Sequence, residues 1–98
     1  MTRLTASKKT IKSKFVVNND RGLHTRPCTE LVRCASSFRA RVTLTYQKQN
    51  VNAKSLLSIL GLAACKGAKI GIIAEGEDAQ DAVEALIGLA LNNFHMNY

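Results

Sequence analysis

The sequence predicts an α+β fold: an open-faced β-sandwich of order βαββαβα, in which a four-stranded antiparallel sheet carries its helices on one face. Three observations lead there. Stretches of two-residue alternation recur along the chain, the period of a strand buried on one side only. Between them lie two long apolar stripes at helical spacing. The chain has 98 residues, 46% of them hydrophobic, enough for one two-layer core and too few for two domains. Helices laid on one face of an antiparallel sheet satisfy both periodicities at once.

Taken in order, residues 1–9 are polar and basic with little to bury, and read as a flexible basic extension to a domain formed by residues 10–98. Residues 11–17 alternate, with Ile11, Phe15 and Val17 on one face and Lys12 and Lys14 on the other. Asn18-Asn19-Asp20-Arg21-Gly22 is a run of turn formers. A helix is expected over residues 25–36, with Cys28, Leu31, Val32 and Ala35 as its buried stripe and Thr29 and Arg33 off that stripe. Residues 38–46 alternate again and point Val42, Leu44 and Tyr46 inward; residues 47–50 make a turn, and 51–53 leave room for a short third strand. A compact helix over 55–60 closes at Gly61. Gly67 opens a fourth strand, 69–75, with Ile70, Ile72 and Ala74 sharing one face. The last helix is expected over 77–92, its stripe made by Ala79, Ala82, Val83, Leu86, Ile87 and Ala90 and its acids gathered in the first turns, where the helix dipole favours them. His95 follows it with no carboxylate or second histidine nearby in sequence, and is expected on the surface.

The chemistry gathers at Gly22-Leu23-His24-Thr25-Arg26-Pro27. Proline suits a first helical turn, where its missing N–H breaks nothing and its fixed φ is already helical. Free backbone N–H groups and the positive end of the dipole make such a start an anion site. His24 stands at its mouth, where the same positive end disfavours imidazolium and leaves a neutral, nucleophilic ring. Arg26 is placed to contact an arriving phosphoryl group through paired N–H bonds, and Thr25 lies between the two. These residues describe a phosphoryl acceptor; a surface histidine at a helix start fits the six residues too.

Two further stretches bear on that choice: Asn52-Ala53-Lys54-Ser55-Leu56-Leu57, and residues 74–84, Ala74-Glu75-Gly76-Glu77-Asp78-Ala79-Gln80-Asp81-Ala82-Val83-Glu84. With the His24 motif they resemble, in the same order, the histidine-containing phosphocarrier proteins, the HPr family of the bacterial phosphotransferase system. The resemblance runs from about Ile11 to Leu91. It implies the open-faced sandwich, a catalytic role for His24 and Arg26, phosphate contacts from Thr25 and Arg26, and phosphorylation at Nδ1. It implies receipt of phosphate from phosphorylated enzyme I and delivery to an enzyme IIA, with no cofactor and no metal. Ser55, a helix cap by position, matches the serine that a dedicated HPr kinase/phosphorylase modifies in some members. Partner contacts fall to Leu56, Leu57 and Leu60, with Thr29, Arg33 and Arg26 as the polar rim. Arg21 departs from the family, standing where many members have a smaller polar residue.

Charge and cysteines narrow the classes further. The formal charge is +7, yet residues 1–19 hold five basic residues and no acidic one, and no Lys or Arg follows Lys69. The domain is therefore polarised, and its basic face around Arg21, Arg26 and Arg33 suits acidic protein surfaces. A basic nucleic-acid module is disfavoured, because three Phe and two Tyr give no paired aromatics on one strand for base stacking. No apolar run of 18 residues or secretory signal core occurs, so a cytoplasmic chain without membrane insertion is expected, and a monomer, since a carrier offers one face to successive partners. Cys28, Cys34 and Cys65 lack the spacing of a disulfide framework or zinc site and read as reduced thiols in or near the core; the minor alternative is a reactive Cys28 in the first helical turn. Two other functions remain open: the nitrogen-related branch of the same relay, and a regulatory protein that docks without transferring phosphate.

Overall fold

The structure, a computed structural model, describes the backbone of residues 9–95 and the side chains of residues 9–94. The expected basic extension lies outside the described residues except for Lys9, as does the His95 side chain. The elements are β1 (Thr10–Val16), α1 (Thr25–Ser36), β2 (Arg41–Tyr46), β3 (Gln49–Asn52), α2 (Leu56–Leu60), β4 (Lys69–Glu75) and α3 (Ala79–Leu91), followed by a short 3₁₀ turn, Asn93–His95. The four strands form one antiparallel sheet in the order β1-β4-β2-β3.

Alternation places the core. Phe15 lies opposite Ile70, and Ile72 lies opposite Leu44, so these side chains share the inner face and all are buried. α3 packs over β1 and β4, and α1 packs against α3. From α1 come Cys28, Leu31 and Ala35, and from α3 Ala79, Ala82, Val83, Leu86, Leu89 and Ala90. The outer face keeps Lys12, Lys14, Arg41 and Lys69 in solvent. The open-faced α+β sandwich is the fold of the chain, and the bounds of α1 and β4 are those the periodicity predicts.

Elsewhere the boundaries move, each for a stated reason. The second strand begins at Arg41 rather than at 38, because residues 37–40 bend where the Asp78 carboxylate takes the N–H groups of Arg39 and Ala40, both at 2.8 Å. That same use of Asp78 starts α3 at Ala79 rather than 77, with Asp78 as an N-cap residue whose side chain makes no local cap bond. The predicted four-residue turn is a two-residue one: Gln47 and Lys48 both take positive φ (49° and 68°), the geometry that matches strand twist in a tight hairpin, so β3 starts at Gln49. α2 closes at Gly61 as expected, but this C-cap is right-handed (φ −64°). Bonds from Leu62 N to Ile59 O (3.0 Å) and from Ala63 N to Leu60 O (3.1 Å) carry the chain on until Leu62 is buried, and the left-handed residue is Ala63 (φ 52°).

Within α3, Leu89 takes the buried position and Ile87 is half-buried beside it. Val32 and Tyr46, both expected inside, are likewise half-buried. Phe94, which no periodic pattern marks, is fully buried and meets Phe15 edge-on at 6.2 Å between ring centres; positive φ at Asn93 and Phe94 turns the chain back onto the core.

The two N–H donors, that of Arg39 foremost, hold the Asp78 carboxyl below its ordinary value of 3.8. A lowered folded value stabilises above the unfolded one and fades as pH falls through the folded one. Asp78→Ala is therefore expected to be less stable than wild type at neutral pH, with the gap closing on acidification below about 3.8; urea midpoints at a series of pH values check this.

Candidate functional site

His24 is the N-cap residue of α1, in extended backbone (φ −90°, ψ −169°), and its side chain does not close the cap. Its carbonyl does, accepting Cys28 N at 3.1 Å. Thr25 and Arg26 follow with first-turn amides that have no intrahelical acceptor, and Pro27 has no N–H to leave unpaired. The imidazole is partly exposed, with Nε2 buried.

The segment before His24 is clamped. Gly22 has φ 71°, and a Cβ there would stand 2.5 Å from Ala64 O and 2.8 Å from Cys65 Cα. Leu23, itself buried, donates its N–H to Ala64 O at 2.8 Å. Asn19, also buried, donates from Nδ2 to Gly22 O. Nothing in the run of turn formers at 18–22 distinguishes Asn19 from its neighbours, and the support from residues 64–65 is more than forty positions away, so sequence reasoning found neither.

Of the residues expected around the histidine, Thr25 and Arg26 are exposed, and among the described residues no carboxylate pairs with Arg26. Thr29 is half-buried and spends its hydroxyl on Thr25 O at 2.8 Å. Arg33 makes a solvent-exposed pair with Glu30 at 3.6 Å, of a kind that contributes little.

α2 packs against α1. Ser55 is its N-cap, accepting Ser58 N at 3.4 Å, with the two hydroxyl oxygens 2.9 Å apart. Ile59 is fully buried, whereas Leu57 is 80% exposed. Residues two apart on a helix point about 200° away from each other, so burying Ile59 drives Leu57 outward. Leu56 and Leu60 flank Ile59 and are half-buried against the core. The expected three-leucine patch is thus one prominent residue with two partly covered neighbours.

The reactive-thiol alternative fails for Cys28. It is fully buried, its Sγ lies 3.5 Å from Leu23 O, and burial raises the thiol from 9.0 to about 11. Cys34 is half-buried and likewise raised, whereas Cys65 is exposed rather than in or near the core. Among the described residues no group of three His, Cys, Asp or Glu is placed to hold a metal, and no helix is long and apolar enough to cross a membrane. A concavity of about 660 Å³ lies between β1 and the end of α3 against Phe15, Val16, Ile87 and Leu91, away from His24 and Arg26.

A four-stranded open-faced α+β sandwich with a half-buried histidine at a helix start and an exposed arginine two positions on defines the structural class. The family model that matches the chain is narrower: it is described as the HPr component phosphorylation site of the phosphotransferase system, and it covers residues 11–91. HPr-C-His from Thermoanaerobacter tengcongensis is 31% identical, with a TM-score of 0.85 over 90% of this chain and 99% of that one. The phosphocarrier HPr of Bacillus anthracis is 35% identical, with a TM-score of 0.77 over 81% and 94%. The Bacillus subtilis catabolite repression protein Crh, solved as a swapped dimer, is 34% identical, with a TM-score of 0.68 over 85% and 95%. The chain belongs to the HPr family of phosphocarrier proteins.

Gly22→Ala tests the clamp. An alanine held at positive φ costs about 1–3 kcal/mol, and the approach of Ala64 O adds to it, so equilibrium unfolding in urea should give a loss at or above that range.

Proposed function

We propose that the chain is a cytoplasmic phosphocarrier that accepts a phosphoryl group on Nδ1 of His24 from phosphorylated enzyme I and passes it to an enzyme IIA. The observation that carries this reading is the imidazole at the start of α1 with Nε2 buried. On receipt the Nδ1 lone pair forms the N–P bond while the bond from phosphorus to the donor atom of enzyme I breaks and that atom keeps its electron pair. On delivery a lone pair of the enzyme IIA acceptor forms the new bond to phosphorus while the N–P bond breaks and Nδ1 keeps the pair. The first-turn amides of Thr25 and Arg26 and the Arg26 guanidinium stand where the phosphoryl oxygens gather charge, so they act by alignment and charge stabilisation. The histidine itself is the product of the first transfer, which makes the protein a carrier rather than a turnover enzyme.

Docking is assigned to Leu57, with Leu56, Leu60, Thr29 and Arg33 around it. An exposed leucine beside basic residues fits an apolar anchor inside a charged rim. Ser55 lies next to this surface, and a phosphate there would add about −1.5 to −2 charges, enough to repel an acidic partner without unfolding a five-residue helix that it caps. An HPr kinase/phosphorylase would be the modifying partner. A monomer fits a carrier that turns the same face to two partners, although one relative of this fold forms a swapped dimer. The likeness to Crh also favours a second reading, a regulatory member that docks without relaying phosphate.

Intact mass after incubation with phosphoenolpyruvate and a bacterial enzyme I separates the two. The carrier reading expects one acid-labile phosphoryl gain in wild type and none in His24→Ala; no gain in folded wild type beside active enzyme I leaves the regulatory reading. For docking, Leu57→Ala should change stability by no more than about 0.5 kcal/mol yet weaken binding to enzyme I by about 1 kcal/mol or more. Ser55→Asp should slow phosphoryl acceptance while urea unfolding stays close to wild type.

A further inference from the structure

We propose that Asn19 is a positioning residue for phosphoryl transfer at His24, a role that rests on the carrier reading. Five residues before the histidine, Asn19 is 1% exposed and is the one buried polar side chain among the described residues. Its Nδ2 donates to Gly22 O, and its own carbonyl accepts Gly22 N at 3.0 Å. Gly22 O also receives His24 N, at 3.0 Å. The side chain thus holds the carbonyl to which the backbone of His24 is itself bound. The N–H of that same peptide unit belongs to Leu23 and is taken by Ala64 O at 2.8 Å. One peptide plane is pinned at both ends, and the imidazole leaves the chain at the next residue.

The other half of the Asn19 amide is spent on nothing: Oδ1 is buried and has no hydrogen-bond partner among the described residues. A buried acceptor left unpaired opposes folding. Its donor and its orphaned acceptor therefore act on stability in opposite directions, while only the donor acts on the geometry of the loop. Removing the side chain should disturb the aim of His24 more than the stability of the fold. In-line transfer is sensitive to that aim, since small displacements of a reacting group carry large rate penalties. Asn19 itself neither gains nor loses a bond to phosphorus.

The test compares wild type, Asn19→Ala and Asn19→Asp as acceptors from phosphorylated enzyme I, with urea unfolding and the His24 ring proton resonances recorded for each. Asn19→Asp keeps the shape, but its carboxylate has no hydrogen to donate. The expected result is a fall in kcat of roughly tenfold to a hundredfold in both variants. KM stays within about twofold, because the docking residues are untouched, the His24 ring resonances shift, and the urea midpoint of Asn19→Ala stays close to wild type. Folded variants with wild-type kcat overturn the proposal, as does a loss of rate that only follows the unfolded fraction, or a failure of both variants to fold. Absence of transfer to wild type removes the carrier reading and this proposal together, whereas transfer to wild type with unchanged variants removes this proposal alone.

Discussion

The close approach of Gly22 to residues 64–65 is the constraint on which the site depends. A left-handed residue with no room for a Cβ admits only glycine there, and the bond from Leu23 N to Ala64 O locks the approach. α1 can then start at Thr25 with its first amides pointing outward, and Leu23 and Cys28 can enter the core on either side of the histidine. The same contact sets the loop after α2 against the histidine loop, so the exposed Leu57 belongs to an element joined to the His24 segment through packing as well as through the chain. The His24 loop and the segment that follows α2 are thereby held at one junction between stretches far apart in sequence.

The remainder of the fold keeps that junction rigid and its surface open. β4 is central, paired on both sides, and its Ile70, Ile72 and Ala74 are buried beneath α3, against which α1 packs in turn. Aromatic side chains serve this core: Phe15 and Phe94 are buried against each other, which removes them from any role in base stacking. The histidine is half-buried at the start of α1, and among the described residues no carboxylate pairs with the exposed Arg26 two positions on. This form suits a group handed from one protein surface to another.

Much of this was legible in the sequence. The ends of α1 and β4, the inward residues of β2 and β4, and the place of His24 before Pro27 all follow from short-range rules: side-chain period, proline in a first turn, and the absence of intrahelical partners at a helix start. The family followed from three motifs in order, which together carry more information than any one of them. What escaped was decided by single long-range bonds. Asp78 reads as an acid at a helix start, yet its carboxylate crosses to Arg39 and Ala40 and moves the ends of both β2 and α3. The Cys28 thiol reads as a candidate nucleophile beside a histidine, and burial makes it inert.

By itself, then, the sequence determined the elements, their faces and the place of His24 at the start of a helix, because periodicity and local backbone chemistry act within a few residues. Tertiary structure decided which of two adjacent asparagines is buried, which leucine of α2 stands in solvent, how Phe94 returns to the core, and which nitrogen of His24 is covered. Each of these depends on what a distant segment places against the residue, and no local pattern carries that information.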